Sequence, residues 1–362
     1  MKDLKFILGP CACESVTQME EVIRTISVPN VPANTLIRAS LYKPRSSFGT
    51  FEGLQSEGAD MLHNLLGEEK ISQIATEIFD AKSLQICVAY GIKNFWIGAR
   101  TTTNPFSVRE IASELALLDK NQIKSIGIKN PTSRDLPLWY GAYQRICQSG
   151  HKPYLIFRGI TTGNSAPFRN EADWDFVFQM KEKINDQSVQ FILDPSHIAG
   201  DRKYVLPLTI EGLRTGLFDG IMVEAHPNPE IALSDAGQQL YLDKLPEFVK
   251  TVNKHWLEIQ RNPSDCNFDT ERQSIVELDN EFYGSLQKYL NTRRILTDKI
   301  GEIKATHSKP VYDAKRYHAL QDRIKEQFKD EPSIIPIALG LFNLIHNDSV
   351  NRQIQQNHQD ND

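Results

Sequence analysis

The chain has 362 residues, more than one hydrophobic core usually serves, so a large domain with a smaller companion is expected. Hydrophobic residues make up 40% and charged residues 24%, which excludes the disordered and membrane-embedded classes. A net charge of −5 and a pI of 6.0 exclude the broad basic field of a nucleic-acid binder, while leaving room for local Arg and Lys clusters on small phosphorylated substrates.

The N-terminal run Phe6-Ile7-Leu8 before Cys11 is too short for an export signal, and Asp3 and Lys5 interrupt its approach. No stretch reaches the roughly 18 uninterrupted apolar residues of a membrane span. Five scattered cysteines (Cys11, Cys13, Cys87, Cys147, Cys266) form no paired CxxC motif, which fits a reducing cytoplasm. A cytoplasmic protein with no membrane and no nucleic-acid partner is expected.

Eight short apolar runs follow in order: Lys5–Pro10, Thr35–Ser40, Gln85–Tyr90, Phe95–Arg100, Ser125–Asn130, Tyr154–Gly159, Val189–Pro195 and Gly220–His226. They read as continuous rather than alternating hydrophobics, as strands buried on both faces do, and the segments between them can form helices. This predicts an α/β fold, a parallel (β/α)8 TIM barrel, with an open doubly wound sheet as the alternative. A barrel carries its chemistry at the C-terminal ends of the strands. Cys11, Arg38, Arg100, Lys129, Arg158, His197 and Glu224 end or just follow these runs, so they should surround one mouth.

After a last barrel helix near 243–260, the segment Arg261–Thr270, with Asn262-Pro263-Ser264-Asp265, has linker composition. From Glu271 no strand signal remains, and Ile275, Leu278, Phe282, Leu286, Leu290, Leu296 and Ile300 keep helical spacing. Two shorter helices are predicted near 313–328 and 334–356, separated by Lys309-Pro310 and Glu331-Pro332-Ser333. Three helices in so few residues make a thin core, so the long helix should pair with a second copy in a homodimer. The expected domains are residues 1–260, a linker at 261–270, and an all-α domain at 271–362.

Four residues in the first domain are candidate metal ligands: Cys11, His197, Glu224 and Asp235. A thiolate, an imidazole and two carboxylates suit a divalent transition ion, manganese first, with iron, cobalt or zinc as alternatives, better than calcium or magnesium. Each taken alone is weak evidence, since a lone Cys is more often buried filler.

The local sequences are more specific. Gly9-Pro10-Cys11-Ala12-Cys13-Glu14-Ser15, Arg38-Ala39-Ser40-Leu41-Tyr42-Lys43-Pro44-Arg45-Ser46-Ser47, Gly98-Ala99-Arg100-Thr101, Asp194-Pro195-Ser196-His197 and Ala232-Leu233-Ser234-Asp235 occur in the order found in type Iβ 3-deoxy-D-arabino-heptulosonate-7-phosphate (DAHP) synthases, which this part of the chain resembles. The resemblance implies condensation of phosphoenolpyruvate with erythrose 4-phosphate and assigns the four ligands to the metal. It also implies that Arg38, Lys43, Arg100, Lys129 and Arg158 bind phosphoenolpyruvate, with Lys43 a candidate proton donor, and that Pro44, Arg45 and Ser46 contact the aldehyde-sugar phosphate. Guanidinium forks suit such anions. The related 3-deoxy-D-manno-octulosonate 8-phosphate synthase is the rival. Its acceptor loop reads Lys-Ala-Asn-Arg-Ser where this chain has Lys43-Pro44-Arg45-Ser46.

The helical part resembles an AroQ-type chorismate mutase. Arg272, Arg293, Lys304, Asp313, Arg316, Ser349 and Gln353 match the family's positions, although the interval from Asp279 to Arg293 is about one turn longer than usual and Tyr317 stands where many relatives carry Glu. The resemblance implies that Arg272 and Arg293 bind carboxylates, that Lys304 and Gln353 donate to the ether oxygen of chorismate, and that Arg316 and Asp313 order the ring end. Chorismate rearranges to prephenate without acid, base or covalent intermediate, so a site need only hold a compact dianion and stabilise charge on that oxygen. A mutase-shaped regulatory and dimerisation domain is the alternative. Either way, prephenate or chorismate bound there is expected to act as a feedback inhibitor of the first domain.

Overall fold

The computed structural model describes residues 3–44, 48–163, 167–261, 269–307 and 309–359. The chain divides into two compact units, Met1–Pro263 and Ser264–Asp362.

In the first unit the strands are β1 (Lys5–Gly9), β2 (Leu36–Arg38), β3 (Ile74–Ile78), β4 (Asn94–Ile97), β5 (Ser125–Lys129), β6 (Tyr154–Phe157), β7 (Phe191–Leu193) and β8 (Gly220–His226), followed by the two-residue β9 (Leu240–Tyr241). Each pairs in parallel with the next, and β1 pairs with β8 in the register Phe6↔Ile221 and Leu8↔Val223. That closure makes an eight-stranded barrel and removes the open-sheet alternative. Side chains alternate across the strands. Thus Ile7, Trp96, Ile156, Ile192 and Met222 fill one buried cluster inside the barrel, while Phe6, Leu8, Leu155 and Leu193 join the larger core against the helices. Each such fully buried apolar side chain contributes roughly 1.5–3 kcal/mol.

The third predicted strand needs correction. Gln85–Tyr90 belongs to a helix, Ala81–Ala89, and β3 lies earlier, at Ile74–Ile78. The helix starts where Asp80 Oδ1 accepts the Ser83 N–H at 2.7 Å and Ser83 Oγ accepts the Asp80 N–H at 3.1 Å, a reciprocal cap. Its buried Leu84 and Cys87 are three residues apart and share one helix face. A short apolar run does not by itself distinguish a buried helix from a strand.

The second unit has a long helix (Asp269–Thr306), a middle helix (Ala314–Gln327) and a last helix (Ile335–Gln359). Two ion pairs tie the long helix to the last one: Arg294 to Asp348 at 3.1 Å and Arg352 to Asp298 at 2.5 Å. The apolar stripe read from the sequence is uncovered in a single chain, with Ile275, Leu278, Phe282 and Leu296 all exposed. Among the described residues, no helix is long and apolar enough to cross a membrane.

Candidate functional sites

The C-terminal ends of the barrel strands converge on a cavity of about 280 Å³ whose lining includes Lys43, Pro44, Arg100, Lys129, Arg158, His197 and Asp235. Beside it, ligand atoms of Cys11, Glu224 and Asp235 lie within 4.8 Å of one another. Just before Cys11, Gly9 lets the end of β1 pass close to Arg38: it adopts φ +142°, and a Cβ there would lie 2.4 Å from the Arg38 carbonyl oxygen. Asp235 is held in the left-handed region at φ 48°, a sparsely populated conformation for a non-glycine residue that tends to occur at functional sites.

His197 stands next to the trio, its Nε2 3.8 Å from Glu224 Oε1. Its Nδ1 lies 3.0 Å from Asp194 Oδ1, an arrangement that puts the proton on Nδ1 and leaves the Nε2 lone pair available to a metal. Asp194 also accepts from Lys129 Nζ at 2.7 Å, so one buried carboxylate orients two site residues. Burial pushes the Cys11 thiol up to about 12, and Glu224 adds to the shift while Lys43, 3.0 Å from the sulfur, opposes it. For Glu224, burial favours protonation but Arg38, 2.9 Å away, holds its carboxyl below the usual range. Glu224 Oε1 is buried and has the Arg38 ion pair but no well-aligned hydrogen bond. A soft sulfur, an aimed imidazole nitrogen and two carboxylates fit a divalent transition cation, which would also displace the thiol proton.

The cationic wall is concentrated. Arg158 is pushed down to about 10, first by burial and then by Arg169 and Arg100, with Asp194 opposing. Guanidinium groups crowded this way favour an anion between them. Arg38, the last residue of β2, is buried with its guanidinium 5.4 Å from the Trp96 ring centroid and its Nη1 without a partner.

The helical unit has its own cavity, of about 310 Å³, lined by Arg293, Lys304, Asp313, Arg316, His346, Ser349 and Gln353 among others. Asp313 caps the middle helix by accepting the Arg316 N–H at 3.0 Å, which fixes both residues at the cavity edge. Lys304 Nζ donates to the Val311 carbonyl at 2.6 Å. Arg293 Nε and Gln353 Oε1 are buried without hydrogen-bond partners.

The profile of the DAHP synthetase I family matches residues 2–261, and that of chorismate mutase type II matches residues 271–354. The chain belongs to the DAHP synthetase I family. Its barrel is a DAHP synthase domain, and a chorismate mutase domain follows it. A phospho-2-dehydro-3-deoxyheptonate aldolase of Thermotoga maritima is 30% identical over 249 residues, covering 68% of this chain and 68% of that protein. The crystal structure of phospho-2-dehydro-3-deoxyheptonate aldolase (DAHP synthase) from Thermotoga maritima superposes with a TM-score of 0.58 at 28% identity, covering 69% of this chain and 68% of that one. A 2-dehydro-3-deoxyphosphooctonate aldolase of Fusobacterium nucleatum is 50% identical over 52 residues, which is 14% of this chain and 18% of that protein. DAHP synthases generally use a divalent metal, and the site described above could hold one.

Within the synthase barrel, the structure brings together Cys11, Arg38, Lys43, Pro44, Arg100, Lys129, Arg158, His197, Glu224 and Asp235. Arg45 and Ser46 lie outside the described residues, as does most of the expected linker. In the mutase domain, Arg293, Lys304, Asp313, Arg316, Ser349 and Gln353 share one cavity, but a single chain does not bring Arg272 there. At about 1.5 Å per residue, Arg272 sits roughly 30 Å along the helix from Arg293, where it is largely exposed and faces Asp269 at 3.8 Å.

Sequence reasoning missed several barrel residues. Arg169 reaches Asp235 at 3.1 Å and Gln238 at 2.9 Å from a loop with no strand pattern. Gln238 donates to Glu224 at 2.7 Å, and Gln239 accepts the Cys11 N–H at 2.9 Å. Glu77, at the cavity, was hidden by the misplaced third strand. Gly98 marks it, because a Cβ there would lie 2.0 Å from Glu77 Oε1.

Proposed function

We propose that the barrel condenses phosphoenolpyruvate with erythrose 4-phosphate to give DAHP and phosphate, and that the helical domain converts chorismate to prephenate. The convergence of Cys11, Glu224 and Asp235 beside one strongly cationic cavity carries the first reading. Cys11, His197, Glu224 and Asp235 would hold a divalent transition ion, which the mixed donor set suits, manganese in our reading with iron, cobalt or zinc as alternatives. When bound, that ion supplies Lewis acidity toward the aldehyde. Arg38, Lys43, Arg100, Lys129 and Arg158 hold phosphoenolpyruvate, with Lys43 placed to move a proton. Pro44, Arg45 and Ser46 hold the acceptor phosphate.

In the mutase domain, Arg293 binds a carboxylate of chorismate, Lys304 and Gln353 donate to its ether oxygen, and Arg316, Asp313 and Ser349 order the rest. The exposed stripe on the long helix supports a homodimer in which Arg272 serves the cavity of the second copy. The domain limits are proposed at 1–260 and 271–362, with cytoplasmic residence. Prephenate, the mutase product, is proposed as a feedback inhibitor of the synthase.

Both reactions should be assayed in the purified chain. Turnover of erythrose 4-phosphate should far exceed that of arabinose 5-phosphate, and chorismate should be consumed. A preference for the five-carbon acceptor would overturn the DAHP reading, and a mutase domain that binds but does not turn over chorismate would be regulatory only.

A further inference from the structure

Resting on the reading that the helical cavity takes chorismate, we propose that His346 is an additional substrate-binding residue there, pairing through Nε2 with the ring hydroxyl of the ligand. His346 lines the cavity together with Arg293, Lys304 and Gln353. Its Nε2 is buried and has no hydrogen-bond partner. A buried polar atom left unpaired costs about 1–3 kcal/mol, so such an atom on a residue that lines a cavity points to a ligand group that completes it.

The nature of that group follows from the surroundings. Arg272 and Arg293 are assigned to the two carboxylates and Lys304 with Gln353 to the ether oxygen, and a neutral imidazole competes poorly with these cations for an anion. His346 is neutral near pH 7 because burial, then Arg293 and Lys304, hold its pKa below the ordinary histidine value. The neutral polar group of chorismate is its ring hydroxyl, at the end that Arg316 and Asp313 order, and such a nitrogen adds to them by pairing with it as donor or acceptor.

Tyr317 packs its ring 5.0 Å from the His346 ring, but its hydroxyl is already engaged: it donates to Asn343 Oδ1 at 2.9 Å and accepts from Gln321 at 3.0 Å. Tyr312 and Phe342 pack their rings 5.9 Å and 5.6 Å from the imidazole. These rings hold the imidazole in place, and Nε2 is its nitrogen buried without a partner.

The test compares three substitutions in the intact chain, with chorismate turnover as the readout. His346→Leu removes the nitrogen, His346→Asn places an amide where Nδ1 was, and His346→Gln places one where Nε2 was. Losing one neutral hydrogen bond predicts about a tenfold fall in kcat/KM for Leu and Asn, with His346→Gln recovering most of it. The hydroxyl takes no charge in the rearrangement, so the loss should appear in KM rather than kcat. With a 4-deoxy analogue of chorismate, wild type and His346→Leu should have the same kcat/KM. Equal activity of His346→Leu and wild type on chorismate, equal loss in all three variants, or a penalty that persists with the analogue would each overturn the assignment. Gln353→Ala separates the two levels. If it loses turnover while His346→Leu does not, only the histidine proposal fails; if wild type consumes no chorismate, the reading of the cavity fails with it.

Discussion

Cys11 is the residue where burial and function conflict most directly. A thiol with its pKa near 12 is inert by itself, and it becomes a ligand only when a cation compensates for the lost proton. Cys11→Ala or His197→Ala should therefore abolish metal-dependent synthase activity while chorismate turnover stays near normal. Full synthase activity after exhaustive chelation would rule out the metal reading. In the other cavity Lys304 and Gln353 are the candidate donors to the ether oxygen. A preorganised donor of this kind is worth about 10²–10³ in rate, so Lys304→Ala and Gln353→Ala should each slow chorismate turnover at least a hundredfold. Circular dichroism should show the helices intact. Near-normal turnover in folded Lys304→Ala would remove that lysine from the site.

At the scale of elements, the long helix is the least self-sufficient part of the chain. Its exposed Ile275, Leu278 and Phe282 recur at helical spacing, and a continuous apolar stripe on a soluble helix implies a covering surface. Charge placed in that stripe should break the proposed dimer: Leu278→Glu is expected to shift sedimentation to the monomer and to weaken mutase activity, since Arg272 would lose access to the second copy. A wild-type chain that sediments as a monomer at micromolar concentration would refute this arrangement. The barrel elements show the opposite case. Seven of the eight strand runs were legible because both faces are buried and the residues read as continuous hydrophobics. The third was not, because Thr76, which accepts the Leu41 N–H at 3.0 Å, and Glu77, which lines the cavity, interrupt β3 with polar side chains, while the next helix carries the more apolar run.

For the whole molecule, the question is whether the two activities are coupled. A ligand in the mutase domain alters the synthase only if it binds two arrangements of the chain unequally. Prephenate should then inhibit synthase turnover in the intact chain, Arg293→Ala should weaken that inhibition, and the barrel cut after Gln260 should be insensitive. Equal inhibition of intact and truncated chains would place the effector on the barrel and separate regulation from the fusion.

The order of motifs, the change of period after the barrel and the residue types at strand ends were all written in the sequence, because hydrophobic periodicity and local chemistry act over a few neighbouring positions. That sufficed to anticipate the barrel, the helical domain, and the cluster of Cys11, Glu224 and Asp235. Other features depended on contacts between distant segments. Arg169, Gln238 and Gln239 joined the site through loops that carry no periodic signal, and the Asp194 carboxylate came to serve both Lys129 and His197. The unpaired nitrogen of His346 is likewise invisible in a string of letters, because an unsatisfied hydrogen bond exists only once the groups around it are in place.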